Sequence, residues 1–382
     1  MDALWNDEQE NPLQHLRVLD LTVLLPGPFF TRILAQYGAE VVKVEGLPGG
    51  DPMRASHQTG LMDWIGQGKR SVAVALKTAQ GGDLVRRLAA ETDVFVENFR
   101  EGVMDSLGLG YRDLSALQPD LLYVSLRGFH GAHASKAGHD LNFIAASGVG
   151  EFHLESGPNY ATQWADMIGG TFLPAIQVLA HLANPERRGM HLVLHMDKGF
   201  RAAFLPRAFD ALVASQLPEE KRAGFGMHHH FGAQVPHSRY YRCSDGLWLS
   251  VSCVKSQHWQ ALCELWGKPE WASRGEDPTL VPDVEALVAT HPAAHWESLP
   301  GATSLCVFKV VPWAEHAVSL PSRESLLQDP LAWAGFPANP KLLPAPELGR
   351  DTFAALQAMG ISARQCEDLA REGIVFQPNA GL

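Results

Sequence analysis

The sequence predicts an α/β protein in which a large domain built on a doubly wound parallel sheet is followed by a smaller second domain. Three observations lead there. Short runs rich in leucine and β-branched residues alternate with helical stretches up to residue 129, and that alternation builds parallel strands joined by right-handed crossovers. The chain has 382 residues and is 46% hydrophobic, enough for more than one core. After about residue 200 the character changes: 218–238 is polar and turn-rich, and a hairpin pattern replaces the alternation.

The elements follow in order. LRVLDLT at 16–22 reads as a buried strand of a parallel sheet. Pro26, Gly27 and Pro28 end it, and FFTRILAQYG reads as a helix closed by Gly38. AEVVKVEG at 39–46 completes a strand–helix–strand unit. SVAVAL at 71–76 is a strand, TAQGGDLVRRLAAET at 78–92 a helix with one apolar face, and DVFVENF at 93–99 and DLLYVSLRGF at 120–129 are further strands. Residues 166–184 read as one long, mostly apolar helix with its small residues first. This makes 1–200 the large domain and 201–235 a linker. The smaller α+β domain, 236–325, opens with a hairpin at 238–253 that turns at Ser244, Asp245 and Gly246. The tail 326–382 is expected to return to the large domain, with two short helices in 349–376.

Composition narrows the function. Acidic residues outnumber basic ones by 42 to 31, for a net charge of −11, which argues against a nucleic-acid or anionic-membrane partner. There is no apolar run of eighteen residues to span a membrane and no basic-then-apolar leader, so the cytoplasm is expected. Cys243, Cys253, Cys263, Cys306 and Cys366 are widely spaced, without a CxxC pair, and read as core thiols in a reducing compartment. GxGxxG after the first strand, GxxxxGK(S/T), GxSxG and HExxH are all missing. His228, His229 and His230 with His237 suggest a metal site, but adjacent side chains diverge and no carboxylate or cysteine sits at ligand spacing. No metal is expected.

Six segments occur in one order over residues 27–176: GPFFTRILAQYGAEVVKVE, GGDPMR, GKRSVAVALKT, DVFVENFREGVMDSLGLGY, AGHDLNFIAASG and ADMIGGTFLPAI. Together they resemble the family III coenzyme A transferases of the CaiB/BaiF type. These include formyl-CoA and carnitine CoA-transferases and the α-methylacyl-CoA racemases, and the GHD segment is most similar to the racemases. The resemblance covers the first half well, is weaker over 235–275 and is thin elsewhere. It implies the family's fold as an interlocked homodimer, with acyl-CoA or CoA as substrate and no tightly bound cofactor. It also implies that the nucleotide end of CoA rests on Val74, Ala75, Leu76 and Lys77, then Asn98, Phe99 and Arg100, then Gly138, Asp140, Leu141, Asn142 and Phe143. These stretches lie at strand ends, at the carboxyl edge where α/β sheets hold ligands. Lys77 and Arg100 can pair with phosphates; taken alone, each is more often a solvated surface charge.

Two residues carry acid–base chemistry by the same resemblance. Asp166 stands just before Met167, where a helix is expected to begin, and an aspartate there is usually a helix cap. In the family this position is the catalytic aspartate, a nucleophile in transferases and a base at the α-carbon in racemases. His139 matches the racemases' second base, where transferases commonly have tyrosine; its alternative is a core histidine. Inverting a carbon beside a thioester takes a proton from one face and returns one to the other, so two groups must flank it. Backbone amides of residues 167–169 are expected to hold the enolate oxygen. The family pattern also fails in places. Gly46 stands where relatives usually carry Arg or Lys for a CoA phosphate, and Lys255 where racemases carry a supporting glutamate. Residues 128–138, 187–199 and 224–232 depart as well. Three readings follow: a racemase, a transferase working through an aspartyl-CoA thioester, and a catalytically silent CoA-binding protein.

Overall fold

The apolar runs of the amino-terminal half, with one short strand from the carboxyl-terminal end, assemble into one seven-stranded sheet. The structure, a computed structural model, describes residues 11–55, 59–148, 162–219, 235–312, 315 and 328–378. The chain divides into two compact units, one made of residues 1–148, 161–201 and 321–382, the other of 149–160 and 202–320. In the first unit, β1 (Arg17–Asp20), β2 (Glu40–Gly46), β3 (Lys69–Val74), β4 (Val94–Glu97), β5 (Leu122–Arg127) and β6 (Met190–His195) run parallel. From β1 the chain steps outward to β2 and β3, then crosses back to lay β4, β5 and β6 on the other side. The order thus reverses between β1 and β4, where a doubly wound sheet opens a crevice for ligands at its carboxyl edge. The fold class read from the sequence holds. β10 (Val375–Phe376) pairs antiparallel with β3 and was not foreseen, since two residues are too few to show a period.

The helix Pro26–Gln36 is buried along its whole length. Prolines preset its first turn, and Gly38, at φ +95°, ends it in the left-handed region where a side chain would be strained. Beneath the loop between β1 and this helix lies a buried ionic cluster that the apolar pattern did not announce. Asp20 and Lys69 are 0% and 2% exposed, with Lys69 Nζ 3.0 Å from Asp20 Oδ2. Lys69 Nζ also donates to Pro28 O and Thr31 Oγ1, both at 2.7 Å. Lys43 Nζ donates to Thr22 O at 2.6 Å and pairs with Asp51 at 3.0 Å. Arg54 grips Glu45 through two 2.7 Å bonds. Burial alone would raise the Asp20 carboxyl, but Lys69 and Lys43, with the hydroxyls of Thr22 and Thr31, hold it well below the usual carboxylate range. The cluster ties β1, β2 and β3 to the start of the helix Pro26–Gln36.

The second unit holds an antiparallel sheet of β7 (Ser238–Arg242), β8 (Trp248–Ser252) and β9 (Val307–Lys309). The hairpin read at 238–253 is present. Gly246, at φ +79°, donates its N–H to Cys243 O at 3.0 Å, and Asp245 Oδ1 accepts the Leu247 N–H at 3.1 Å. Trp259, Trp266, Trp271 and Trp296 fill the core below it. The expected linker at 201–235 is not all loop: Leu205–Ser215 is a helix. Pro206 suits a first turn, and Leu205, Phe209 and Leu212 recur at helical spacing. Residues 220–234, with His228, His229 and His230 and the divergent 224–232 stretch, lie outside the described residues. Among the described residues no helix is long and apolar enough to cross a membrane, and no group of three or more side chains is arranged to hold a metal.

Candidate active site

The helix read at 166–184 begins earlier and is interrupted. Its first turn is Trp164–Met167, a π turn spans Ile168–Phe172, and α-helix resumes over Leu173–Leu182. Asp166 therefore lies inside the first turn and does not cap it. The cap comes from another element: Asp140 Oδ1 accepts the N–H of Ala165 at 2.8 Å and of Asp166 at 3.1 Å. A carboxylate at a helix start meets unpaired amides and the positive end of the dipole. Two of the amides expected to hold an oxyanion are already occupied, since the Met167 N–H donates to Gln163 O at 2.9 Å and the Ile168 N–H to carbonyls of the same turn. For Met167 and Ile168 that expectation is corrected: helix propagation has used these donors.

The side chain of Asp166 is left free of capping. Burial first, and the charge of Asp140 second, push its carboxyl up to about 7. At neutral pH it is divided between acid and base forms, the condition for a group that both takes and gives a proton. The π turn that follows is locked by close packing. A Cβ on Gly169 would lie 2.3 Å from Met196 O, and one on Gly170 2.6 Å from Pro26 Cβ, so only glycine fits. Thr171 Oγ1 donates to Pro26 O at 2.9 Å. The buried ionic cluster sets the loop to Pro26, Pro26 sets the π turn, and the π turn sets Asp166.

His139 immediately precedes the helix Asp140–Ala146, and its N–H donates to Asn142 Oδ1 at 3.0 Å. It is exposed, which removes the core-histidine alternative. Its neighbour Asp140 binds the backbone of Asp166, so the structure brings the two sequence-read residues to one place. Gly138 closes over the ring of Phe129, where a Cβ would lie 2.5 Å from Cζ, and Phe129 packs against Phe143 at 5.0 Å. Asp140 and Phe143 are buried, whereas Leu141 and Asn142 are exposed.

The other expected contacts line the carboxyl edge. Val74 is buried at the end of β3, Ala75 donates its N–H to Ile374 O at 2.8 Å, and Leu76 is half-buried. Lys77 and Arg100 are exposed and without an ion-pair partner among the described residues. Asn98 braces the switch point: its Oδ1 accepts the Val23 N–H and its Nδ2 donates to Val23 O, both at 2.9 Å. The Phe99 N–H donates to Glu97 Oε2 at 2.9 Å. Gly46 ends β2 beside Leu76, where a Cβ would make an ordinary 3.5 Å contact with Leu76 Cδ1. Lys255 belongs to the second unit, exposed at the head of the helix Ser256–Leu265, and its carbonyl accepts the N–H of His258 and Trp259. Sequence reasoning missed Asp140 as the group that positions Asp166, because a cap supplied from 26 residues away leaves no local pattern.

A Rossmann-ordered sheet with polar strand ends thus carries a raised carboxyl and, on the segment that caps its helix, an exposed histidine. Residues 13–352 match CoA-transferase family III, and the chain belongs to that family. It is 30% identical over 387 residues to the human protein "Alpha-methylacyl-CoA racemase", covering 95% of this chain and 97% of that one. It is 32% identical over 276 residues to "Succinyl-CoA--D-citramalate CoA-transferase" of Chloroflexus aurantiacus, covering 69% and 66% of the two chains. Among solved structures, a CAIB/BAIF family protein from Brucella suis superposes with TM-score 0.73 at 22% identity, over 92% of this chain and all 100% of that one. A hypothetical protein from Mycobacterium tuberculosis gives 0.72 at 28% identity, over 90% and 99%. The chain is thus an enzyme of this family, an acyl-CoA racemase or a CoA transferase. The silent-binder reading is set aside.

Proposed function

We propose that this protein binds acyl-CoA along the carboxyl edge of its sheet and inverts the α-carbon of a 2-methylacyl-CoA, with Asp166 and His139 as the two bases. The observation that carries the reading is the Asp166 carboxyl raised to about 7. A nucleophilic aspartate works as the fully ionised carboxylate. A two-base enzyme needs a carboxyl that holds a proton in one direction and accepts one in the other, and efficiency peaks when its pKa is near the working pH. The likeness to the human racemase over almost the whole chain points the same way. A transferase is the second reading. It is supported by the Chloroflexus relative and by a carboxylate not engaged in capping, which can attack an acyl carbon and pass CoA through an aspartyl thioester. The deciding experiment incubates the protein with one enantiomer of a 2-methylacyl-CoA, alone and with a second carboxylic acid. Inversion without the acid supports the racemase, and CoA appearing on the acid without inversion supports the transferase.

Two further outcomes follow. Asp140→Asn keeps an oxygen for the two amides but removes the charge beside Asp166, so the Asp166 pKa falls and its base form persists to lower pH. The rising limb of the rate–pH profile should move to lower pH; an unmoved limb would remove Asp140 as a cause of the raised pKa. In Gly46→Arg the added Cβ makes only an ordinary contact with Leu76, and the substitution returns a cation to a strand end occupied by phosphate in this reading. A charge-assisted bond of about 1.5 to 3 kcal/mol implies roughly tenfold or tighter CoA binding by calorimetry. Unchanged affinity would take the phosphate away from this edge.

The protein is held to work as a homodimer in the cytoplasm. Leu205, Phe209 and Leu212 are each 60% or more exposed along one helix, an apolar stripe suited to burial against another chain. The five cysteines are free, and all but Cys306 are buried.

A further inference from the structure

Two side chains with no part in the proposed reaction stand at the same edge. His130 lies just past β5 and Asp197 just past β6. Asp197 is 1% exposed, and its Oδ2 lies 2.8 Å from His130 Nδ1. The Asp197 N–H donates to Gly128 O at 3.1 Å, which pins the backbone that carries the carboxylate, and its Oδ1 is buried without a hydrogen-bond partner among the described residues. A carboxylate at Nδ1 keeps the proton of the neutral ring on that nitrogen and leaves Nε2 as the basic one. The His130 side chain is 33% exposed, so the ring is open to water. The ring of His195, at the end of β6, stands 6.2 Å away.

Packing sets the segments that carry this dyad against those that carry Asp166 and His139. Phe129, next to His130, lies under Gly138, next to His139. Met196, next to Asp197, is the residue against which Gly169 and Gly170 close, within a turn of Asp166. An oriented imidazole base therefore stands on segments packed against those of the proposed active site, and the inference rests on that reading.

We propose that His130, oriented by Asp197, is a general base for water, and that the protein hydrolyses acyl-CoA thioesters as a second activity. The water oxygen adds to the thioester carbonyl carbon while its proton passes to His130 Nε2. Collapse of the adduct breaks the carbon–sulfur bond, and the imidazolium returns the proton to the sulfur. A carboxylic acid and CoA thiol leave, with water the only co-reactant. Racemisation breaks no carbon–sulfur bond, so under the racemase reading release of thiol reports this activity, whereas thiol expelled by attack of Asp166 would persist in His130→Gln.

Acetyl-CoA serves as the probe, with free thiol read by a chromogenic disulfide. His130→Gln, at a part-exposed position, is expected to fold as wild type and to lower the kcat of thiol release about a hundredfold, the scale of a lost acid–base group. Asp197→Asn should lower kcat with KM unchanged, and Asp197→Glu should recover part of it, a pattern that loss of packing would not give. Release that continues unchanged in His130→Gln overturns the proposal. So does wild-type protein that releases no thiol while CoA raises its melting temperature. Loss of inversion with thiol release retained in His130→Gln would assign the imidazole to the α-proton step and overturn it too. Absence of any CoA-induced shift in wild type would show that the acyl-CoA reading itself had failed, and hydrolysis with it.

Discussion

Asp166→Asn is expected to reduce turnover of acyl-CoA by at least about a hundredfold, whichever of the two family reactions the protein runs. The amide keeps the size of the side chain but neither accepts a proton at the α-carbon nor attacks an acyl carbon. The geometry makes this substitution clean. The helix is capped by Asp140, and position 166 contributes only its N–H to that cap, which Asn retains. The carboxyl also sits where burial and Asp140 oppose its charge, so removing it relieves an unfavourable interaction. Melting temperature should therefore be maintained while kcat collapses. A folded Asp166→Asn protein with near wild-type turnover would leave the residue no chemical role.

The largest effect on stability is expected from the buried cluster. Lys69→Met leaves Asp20 at 0% exposure with its nearest cation gone, and breaking such a pair from one side costs about 3–5 kcal/mol. Urea unfolding should show the midpoint lowered. Asp20→Asn combined with Lys69→Met should recover part of the loss, because no uncompensated charge remains. The pH dependence has a definite sign. The folded Asp20 pKa lies below its ordinary value of 3.8, so its contribution is present above that value and is lost as the pH falls below it. Lys69→Met should flatten this acid limb. A midpoint that barely moves would mean that the cluster does not hold the loop from β1 to Pro26, and with it the support of the π turn.

Much of this fold was legible because its strands are continuous apolar runs punctuated by Pro and Gly. The runs at 16–22, 39–46, 71–76, 93–99 and 120–129 each became a strand of the large sheet, with no end moved by more than two residues. The hairpin at Asp245 and Gly246 was legible because turn chemistry is local. What escaped was non-local. The charges of Asp20, Lys43 and Lys69 look like surface residues, two at strand ends and Lys43 within its strand, until strand neighbours place them together. The π turn escaped because its cause is Met196 and Pro26, which force glycine at 169 and 170. Asp166 was found through a run of residues similar to the family's, while its neutral-range carboxyl depends on burial first and on the charge of Asp140 second, neither of which any spacing announces.

The central claim, a two-base inversion at the α-carbon, is tested most directly in deuterated water with each enantiomer of a 2-methylacyl-CoA. Wild-type protein should incorporate deuterium at the α-carbon from both enantiomers and bring them to equal amounts. His139→Ala, altering an exposed side chain ahead of the helix Asp140–Ala146, should fold normally and lose inversion. Asp166 should still exchange the proton on the face it reaches, so one enantiomer should wash in deuterium without inverting. Wild-type protein that moves CoA between acids and leaves the α-proton in place would contradict the claim and establish the transferase.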